Sequence, residues 1–175
     1  RAQKKTLNLP NTVPKFSGEL SHEEGTFNIL VAGKHGSLVD TIIFAHFDDI
    51  ERTVRLISVP RDLYYNGRKI NHYPFYFGMD EFKRVLGEIV GYEIDKFLLI
   101  DMYAFIDVVD LIGGIDIRLD EAVIDPTYKT LDEGVWGTLN YEPGDYHLNG
   151  RQSLRLARSR HTSSDFARSK RQHQI

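Results

Sequence analysis

Two hydrophobic periods alternate along the chain, and each marks a kind of element. Phe27–Ala32 is an apolar run ended by Gly33 and a small loop through Gly36, which predicts a first strand. Thr41–Phe47 and Thr53–Val59 are β-branched and apolar. The polar stretch Asp48-Asp49-Ile50-Glu51-Arg52 between them predicts a hairpin, and Pro60, with no N–H for a ladder, stops the second strand. Phe82, Val85, Leu86 and Ile89 fall at i, i+3, i+4 and i+7, the spacing of one helix face, and Gly91 closes that helix. Lys96–Ile100 predicts a short strand. Phe105, Val108, Val109 and Ile112 repeat the helical spacing up to Gly113-Gly114, and Ile115–Leu119 gives another strand. Residues 120–147 show no clear period and read as a long surface excursion, with or without a hairpin. Asn149 is a candidate N-cap for a helix over Gly150–Arg160, and Ser163 or Ser164 for another from Asp165 onward. Strands alternating with helices predict a layered α/β domain with helices covering a sheet.

Composition narrows the class. A chain of 175 residues with 41% hydrophobic and 27% charged residues builds one domain with a sizeable core and is not broadly disordered. Zero cysteines exclude disulfides, thiolate zinc sites, iron–sulfur clusters and cysteine nucleophiles. The most apolar window, Phe97 to Ile115, is interrupted by Asp101, Asp107 and Asp110, which a lipid-facing span does not tolerate. Arg1 to Pro14 is polar and lacks the apolar segment of a signal peptide, so it reads as a trimmed edge. Charge is uneven. Residues 151–175 hold seven Lys and Arg against one acid, whereas the other 150 residues hold 15 basic and 24 acidic groups. A mildly acidic body with one cationic end points to a local anion site.

That cationic end carries the most chemistry. On a helix Arg151, Arg155 and Arg158 share a face, and on the next Asp165, Arg168 and Gln172 do, with Arg171 beside them. At an effective dielectric near 20, two like charges ~4 Å apart repel by roughly 4 kcal/mol, which a bound phosphate or pyrophosphate would reverse. The alternative reading is a pair of solvated helix faces. Arg61 and Asp62, in Ser58-Val59-Pro60-Arg61-Asp62, follow a buried-looking strand, where α/β domains hold ligands; a turn braced by an Arg–Asp pair is the alternative. Asp40 opens the preceding strand, a place where Asp is commonly a turn former. The seven histidines show no pair at metal-ligand spacing, and there is no nucleophile elbow, phosphate-binding Gly-Lys-Ser/Thr loop or dinucleotide fingerprint.

Taken in order, the motifs resemble the LytR-CpsA-Psr family from about Asn28 to Gln174. They are Asn28-Ile29-Leu30-Val31-Ala32-Gly33, Asp40-Thr41-Ile42, Ser58-Val59-Pro60-Arg61-Asp62 and Lys69-Ile70-Asn71. Phe105 through Val109-Asp110 to Gly113-Gly114-Ile115-Asp116 follows, then Leu148-Asn149-Gly150 leading to Arg158-Ser159-Arg160, and Asp165-Phe166-Ala167-Arg168-Ser169-Lys170-Arg171-Gln172. The resemblance implies a lead-in segment over 1–26 and one catalytic domain over 27–175, a three-layer α-β-α domain with a central mixed sheet. It implies a phosphotransferase that moves a phosphate-linked glycopolymer (teichoic acid or capsule) from a polyprenyl-pyrophosphate carrier to peptidoglycan or another wall acceptor, with pyrophosphatase activity as a companion reaction. It also implies an extracytoplasmic location behind an N-terminal membrane anchor that this sequence lacks, and Mg2+ or Mn2+ near the pyrophosphate. Nothing in the residues supports nucleic-acid contact.

On that resemblance Arg61, Arg158, Arg160, Arg168, Arg171 and Gln172 bind the pyrophosphate, and Arg61, Asp165 and Arg168 are the catalytic candidates. Asp165 either orients Arg168 or takes the acceptor's proton. Asp40 binds the metal or orients an Arg. Tyr73, Phe75, Phe77, Phe82, Phe97 and Phe105 are candidates for the lipid pocket, with ordinary core as the alternative. Two departures stand out. The family pattern places an Asp where this chain has His35, and Arg-Ser where it has Leu38-Val39. Imidazole is a poor ligand for magnesium, so Asp40 with phosphates and water would hold the ion, Lys34 would supply charge in its place, or activity would be reduced. A non-catalytic polyprenyl-pyrophosphate binder is the competing function. A nucleic-acid module, which requires a steep salt dependence of binding, is a third.

Overall fold

The computed structural model describes residues 18–132, 134–159 and 165–175, the backbone alone for 165–168. The chain forms two compact units, Arg1–Ile100 and Asp101–Ile175.

The first unit contains β1 (Thr26–His35), β2 (Leu38–Asp48), β3 (Thr53–Ser58), the short strands β4 (Tyr64–Tyr65) and β5 (Arg68–Lys69), and a 3-10 turn over Ile70–His72. Helix α1 (Tyr73–Val90) and strand β6 (Lys96–Asp101) complete it. The sheet is mixed, in the order β3-β2-β1-β6. β1, β2 and β3 pair antiparallel, and Ser21 and Tyr92, just ahead of β1 and β6, form a parallel bridge. The expected β2–β3 hairpin forms because the Asp48 carboxylate accepts the Ile50 and Glu51 N–H groups at 3.0 and 2.9 Å, closing the turn.

Alternation then decides which face is buried. Leu30 opposes Phe44 and Ala32 opposes Ile42 across the β1–β2 ladder, and these side chains pack with Phe82, Val85 and Leu86 of α1. Full burial of each large apolar side chain contributes roughly 1.5–3 kcal/mol, which makes this cluster the main stabiliser of the unit. Gly91 ends α1 in the left-handed region at φ 80°, as its place in the sequence predicts. A second glycine, Gly78 at φ 84°, breaks α1 and separates its aromatic first turn, Tyr73–Phe77, from the amphipathic part. A polar pair, Asn28 and His46, is built into the core. The Asn28 side chain donates to the Glu93 carbonyl at 2.8 Å, so its Oδ1 is the acceptor 2.7 Å from His46 Nδ1, which must carry the proton.

The second unit contains α2 (Met102–Leu111), β7 (Ile115–Leu119), β8 (Val123–Asp132), β9 (Val135–Tyr141), β10 (Gly144–Leu148), α3 (Gly150–Arg158) and α4 (Asp165–Gln174). Asp101 caps α2 by accepting the Tyr103 and Ala104 N–H groups, both at 2.9 Å. Residues 120–147 are more ordered than their pattern suggests. β8 and β9 form a hairpin, β10 pairs antiparallel with β7, and Val123 and Leu139 join Ile117, Leu119, Leu148 and Leu156 in a second core. A register shift between Asp125 and Lys129 breaks the two-residue period there, which is why the strands are hard to read. Asn149 caps α3 as expected, in a reciprocal capping box with Gln152. The helix stops at Arg158, two residues short of the predicted end, with Ser159 already extended at ψ 136°. The candidate caps Ser163 and Ser164 lie outside the described residues.

Candidate functional site

In the first unit the site is built on an irregularity. Gly33 pairs with Thr41 but Lys34 pairs with Val39, so Asp40 is an extra residue, a β-bulge near the turn of the β1–β2 hairpin. The bulge lets both Val39 and Ile42 face the core and turns Asp40 out of the alternation. Its carboxylate accepts a hydrogen bond from Arg61 Nη1.

Arg61 is held from the other side by a turn and a strap. The Leu63 N–H donates to the Pro60 carbonyl at 3.0 Å, so Arg61 and Asp62 are the central residues of a turn. Lys69-Ile70-Asn71 lies along that turn: the Ile70 N–H donates to the Leu63 carbonyl at 2.8 Å and the Asn71 N–H to the Arg61 carbonyl at 3.2 Å. Arg61 Nε stands 3.5 Å from the Asp62 carboxylate, and Lys69 Nζ donates to Asp62 at 2.7 Å. The result is an ionic chain, Asp40–Arg61–Asp62–Lys69, that stays partly open to solvent. The Lys69 ammonium holds the Asp62 carboxyl below the ordinary carboxylate range. The strap explains why the two motifs accompany one another, a link that spacing alone does not reveal.

The aromatic candidates separate by exposure. Phe82 is fully enclosed at 0% exposure and Tyr73 is buried, its hydroxyl donating to the Tyr65 carbonyl at 2.8 Å, so both serve the core of the first unit. Phe75 and Phe77, at 64% and 53% exposure, face solvent on the first turn of α1, and the Arg68 guanidinium lies 4.1 Å from the neighbouring Tyr76 ring centre. Phe97 is exposed on β6, and Phe105 is partly buried on α2.

In the second unit the arginines have diverged in role. Arg155 does not share a solvent face with Arg151 and Arg158. It is buried, and its Nη1 donates to both oxygens of Asp132 at 2.8 and 2.6 Å, tying α3 to the β8–β9 hairpin. Arg171, also buried, donates from Nε to the Leu156 carbonyl at 3.3 Å and from Nη2 to the Ser159 carbonyl at 2.8 Å. Gln172 Nε2 donates to the Ala157 carbonyl at 3.2 Å. Arg171 and Gln172 thus satisfy the free carbonyls at the C-terminus of α3, where a cation also meets the negative end of the helix dipole. Arg158 is exposed and has no partner among the described residues. Arg160 lies outside the described residues, as do the side chains of Asp165 and Arg168, which stand on α4.

Two further features escaped the sequence reading. Asp110 accepts the Gly150 N–H at 2.7 Å, clamping the start of α3 to α2. His147 lies between the Asp116 carboxylate, 2.7 Å from Nδ1, and the Gly113 carbonyl, 2.9 Å from Nε2. Both partners only accept, so the protonated ring satisfies both, and the Asp116 hydrogen bond raises its pKa above the ordinary histidine value. An open depression of about 450 Å³ flanks this pair on β7 and β10, lined by Asp116, Ile117, Arg118, Asp145, Tyr146 and His147.

The side chains of the described residues do not form a site that fits a divalent ion. Asp40 is engaged by Arg61 and Asp62 by Lys69, and no three His, Asp or Glu side chains group to hold an ion among the described residues. Asn71 Oδ1 is a buried oxygen without a partner, but it is neutral and enclosed, and magnesium is bound through carboxylates and phosphates.

Comparison with known proteins places this geometry. The LytR_cpsA_psr family model matches residues 1–175. The polyisoprenyl-teichoic acid–peptidoglycan teichoic acid transferase TagV of Bacillus subtilis (strain 168) is 31% identical over 147 residues, which are 78% of this chain and 36% of TagV. TagT of the same organism, a transferase of the same description, is 26% identical over 172 residues, 90% of this chain and 52% of TagT. The chain therefore spans about half or less of these relatives. The crystal structure of B. subtilis TagV superposes with a TM-score of 0.71 at 27% identity, covering 88% of this chain and 63% of that one. YwtF (TagT) with bound octaprenyl pyrophosphate lipid shares the fold at a TM-score of 0.67 and 23% identity, over 89% of this chain and 67% of that one. The chain belongs to the LytR_cpsA_psr family.

Proposed function

We propose that the chain handles a polyprenyl-pyrophosphate-linked glycopolymer and transfers it to peptidoglycan or a comparable wall acceptor at the outer face of the cell membrane. The observation that carries this reading is Arg61, set on a strapped turn against Asp40 in a member of this family. A TagT structure with bound octaprenyl pyrophosphate and the transferase relatives support it.

In the proposed step an acceptor hydroxyl oxygen attacks the phosphorus that carries the glycan. The bond from that phosphorus to the bridging oxygen breaks, polyprenyl phosphate leaves, and the hydroxyl proton passes to a base, for which Asp165 is the candidate. The acceptor keeps the glycan phosphate as a phosphodiester. Arg61 neutralises charge that builds on the phosphate oxygens, and its planar fork meets two oxygens at once. The family resemblance adds Arg158, Arg160 and Arg168 as further phosphate contacts; Arg158 is exposed and unpaired among the described residues. Phe75, Phe77 and Phe97 offer exposed apolar surface to a prenyl tail.

The test is transfer from a purified lipid-linked glycopolymer to a peptidoglycan fragment, with release of polyprenyl phosphate as the second readout. Arg61→Ala, on a partly exposed turn, keeps the fold and lowers transfer by about 100-fold or more. Unchanged turnover overturns the assignment. A second reading, a non-catalytic lipid-pyrophosphate binder, is favoured by the capping of α3 by Arg171 and Gln172. Tight binding with neither transfer nor hydrolysis selects it.

A further inference from the structure

We infer that this chain balances the charge of the pyrophosphate head with fixed side-chain cations and uses no divalent ion to bind it. The inference rests on the lipid-pyrophosphate reading and concerns the same site.

The ionic chain is already complete. Arg61 faces Asp40 and stands 3.5 Å from Asp62, and Lys69 donates to Asp62 at 2.7 Å, so each carboxylate meets a side-chain cation. A magnesium ion bound at Asp40 would have to share the carboxylate with a guanidinium already bonded to its Oδ1, and the two cations would repel. It would also need further oxygen ligands near the bulge, since it demands close to octahedral oxygen coordination. The hairpin end beyond the bulge supplies none from its charged side chains: the residues there are Lys34 and His35, both exposed.

Position 35 decides the balance. A carboxylate there would add a second negative charge to the hairpin end that carries the bulged Asp40, and would oppose an anionic lipid unless a cation came with it. His35 removes that charge. With Lys34 counted, the hairpin end and the strapped turn carry three cations against two carboxylates. The site can receive an anion once Arg61 exchanges Asp40 for phosphate, a swap of one oxygen anion for another at the same donor.

The experiment is a calorimetric titration of the chain and of its His35→Asp variant with a prenyl pyrophosphate, in excess EDTA and in excess Mg2+. Free Mn2+ is followed by electron paramagnetic resonance in a separate titration without lipid, and thermal melting confirms that the variant folds. Wild type is expected to bind the lipid within roughly twofold under both conditions and to leave the Mn2+ signal unchanged. His35→Asp is expected to lose at least about tenfold in EDTA, recover in Mg2+, and take up Mn2+. Wild-type binding that falls about tenfold in EDTA, or wild-type uptake of Mn2+, overturns the inference and leaves the lipid reading standing. A folded His35→Asp variant that gains nothing from either ion overturns the assignment to position 35 and the inference with it. No lipid binding under any condition overturns the lipid reading itself.

Discussion

Gly150→Ala separates backbone propensity from packing. Position 150 is the first residue of α3, where alanine is better than glycine by roughly 0.5–1 kcal/mol on conformational grounds, so propensity alone predicts a more stable protein. The structure reverses the sign. A Cβ at 150 would stand 2.2 Å from the Ile106 carbonyl oxygen, 2.7 Å from its Cα and 2.8 Å from its carbonyl carbon. A carbon meets a carbonyl oxygen at about 3.3 Å or more, so α2 and α3 would have to part by about 1 Å. All three atoms are backbone, so no side chain can swing away to make room. Parting the helices also stretches the bond from the Gly150 N–H to the Asp110 carboxylate, a charge-assisted contact of 2.7 Å. Overpacking costs about 1–3 kcal/mol and a lost bond to a charged group about 1.5–3, so after the alanine gain the net loss is about 1.5–5.5 kcal/mol. Urea unfolding followed by circular dichroism measures it as a lower midpoint with an unchanged slope. A variant as stable as wild type, or more stable, would refute the helix contact.

Three other outcomes follow from the same structure. Phe82→Ala removes an enclosed core ring and lowers stability by about 3–5 kcal/mol in the same denaturation assay. His147, raised by Asp116, contributes stability that is complete below the ordinary imidazole pKa and is lost as pH rises through its raised folded value. The urea midpoint should therefore fall across that window, and His147→Ala should flatten the fall; an identical pH profile in the variant contradicts the clamp. Trp136, the one tryptophan, is 71% exposed on β9, so native fluorescence should show a water-exposed indole open to acrylamide quenching, and a protected, blue-shifted emission would contradict the hairpin's placement.

Much of the fold is legible in the sequence because it rests on local period. Alternation marks β1 to β3, the i, i+3, i+4 spacing marks α1 and α2, and Asn149 announces α3 by the chemistry of its cap. The site is legible in identity but not in role. Counting charges on one helix face puts Arg155 with Arg151 and Arg158, whereas its partner, Asp132, lies 23 residues earlier on a strand that a register shift conceals. Arg171 and Gln172, read from the sequence as anion donors, also donate to bare carbonyls at the end of α3, a contact that shows only once that end is placed beside them. The bulge at Asp40 is invisible for a related reason: an added residue in a strand appears only once the partner strand fixes the register. The hydrogen-bonded strap from Lys69 to Asn71 is likewise a long-range contact that no local pattern encodes.

Phosphorus NMR of a prenyl pyrophosphate titrated with the chain tests the central claim most directly, because it reports on the two phosphates that Arg61 is argued to hold. Wild type should shift and broaden both resonances, Arg61→Lys should do so weakly because an ammonium lacks the two-oxygen fork, and Arg61→Ala should leave them in place. Equal shifts with the alanine variant, or none with wild type, would contradict the account.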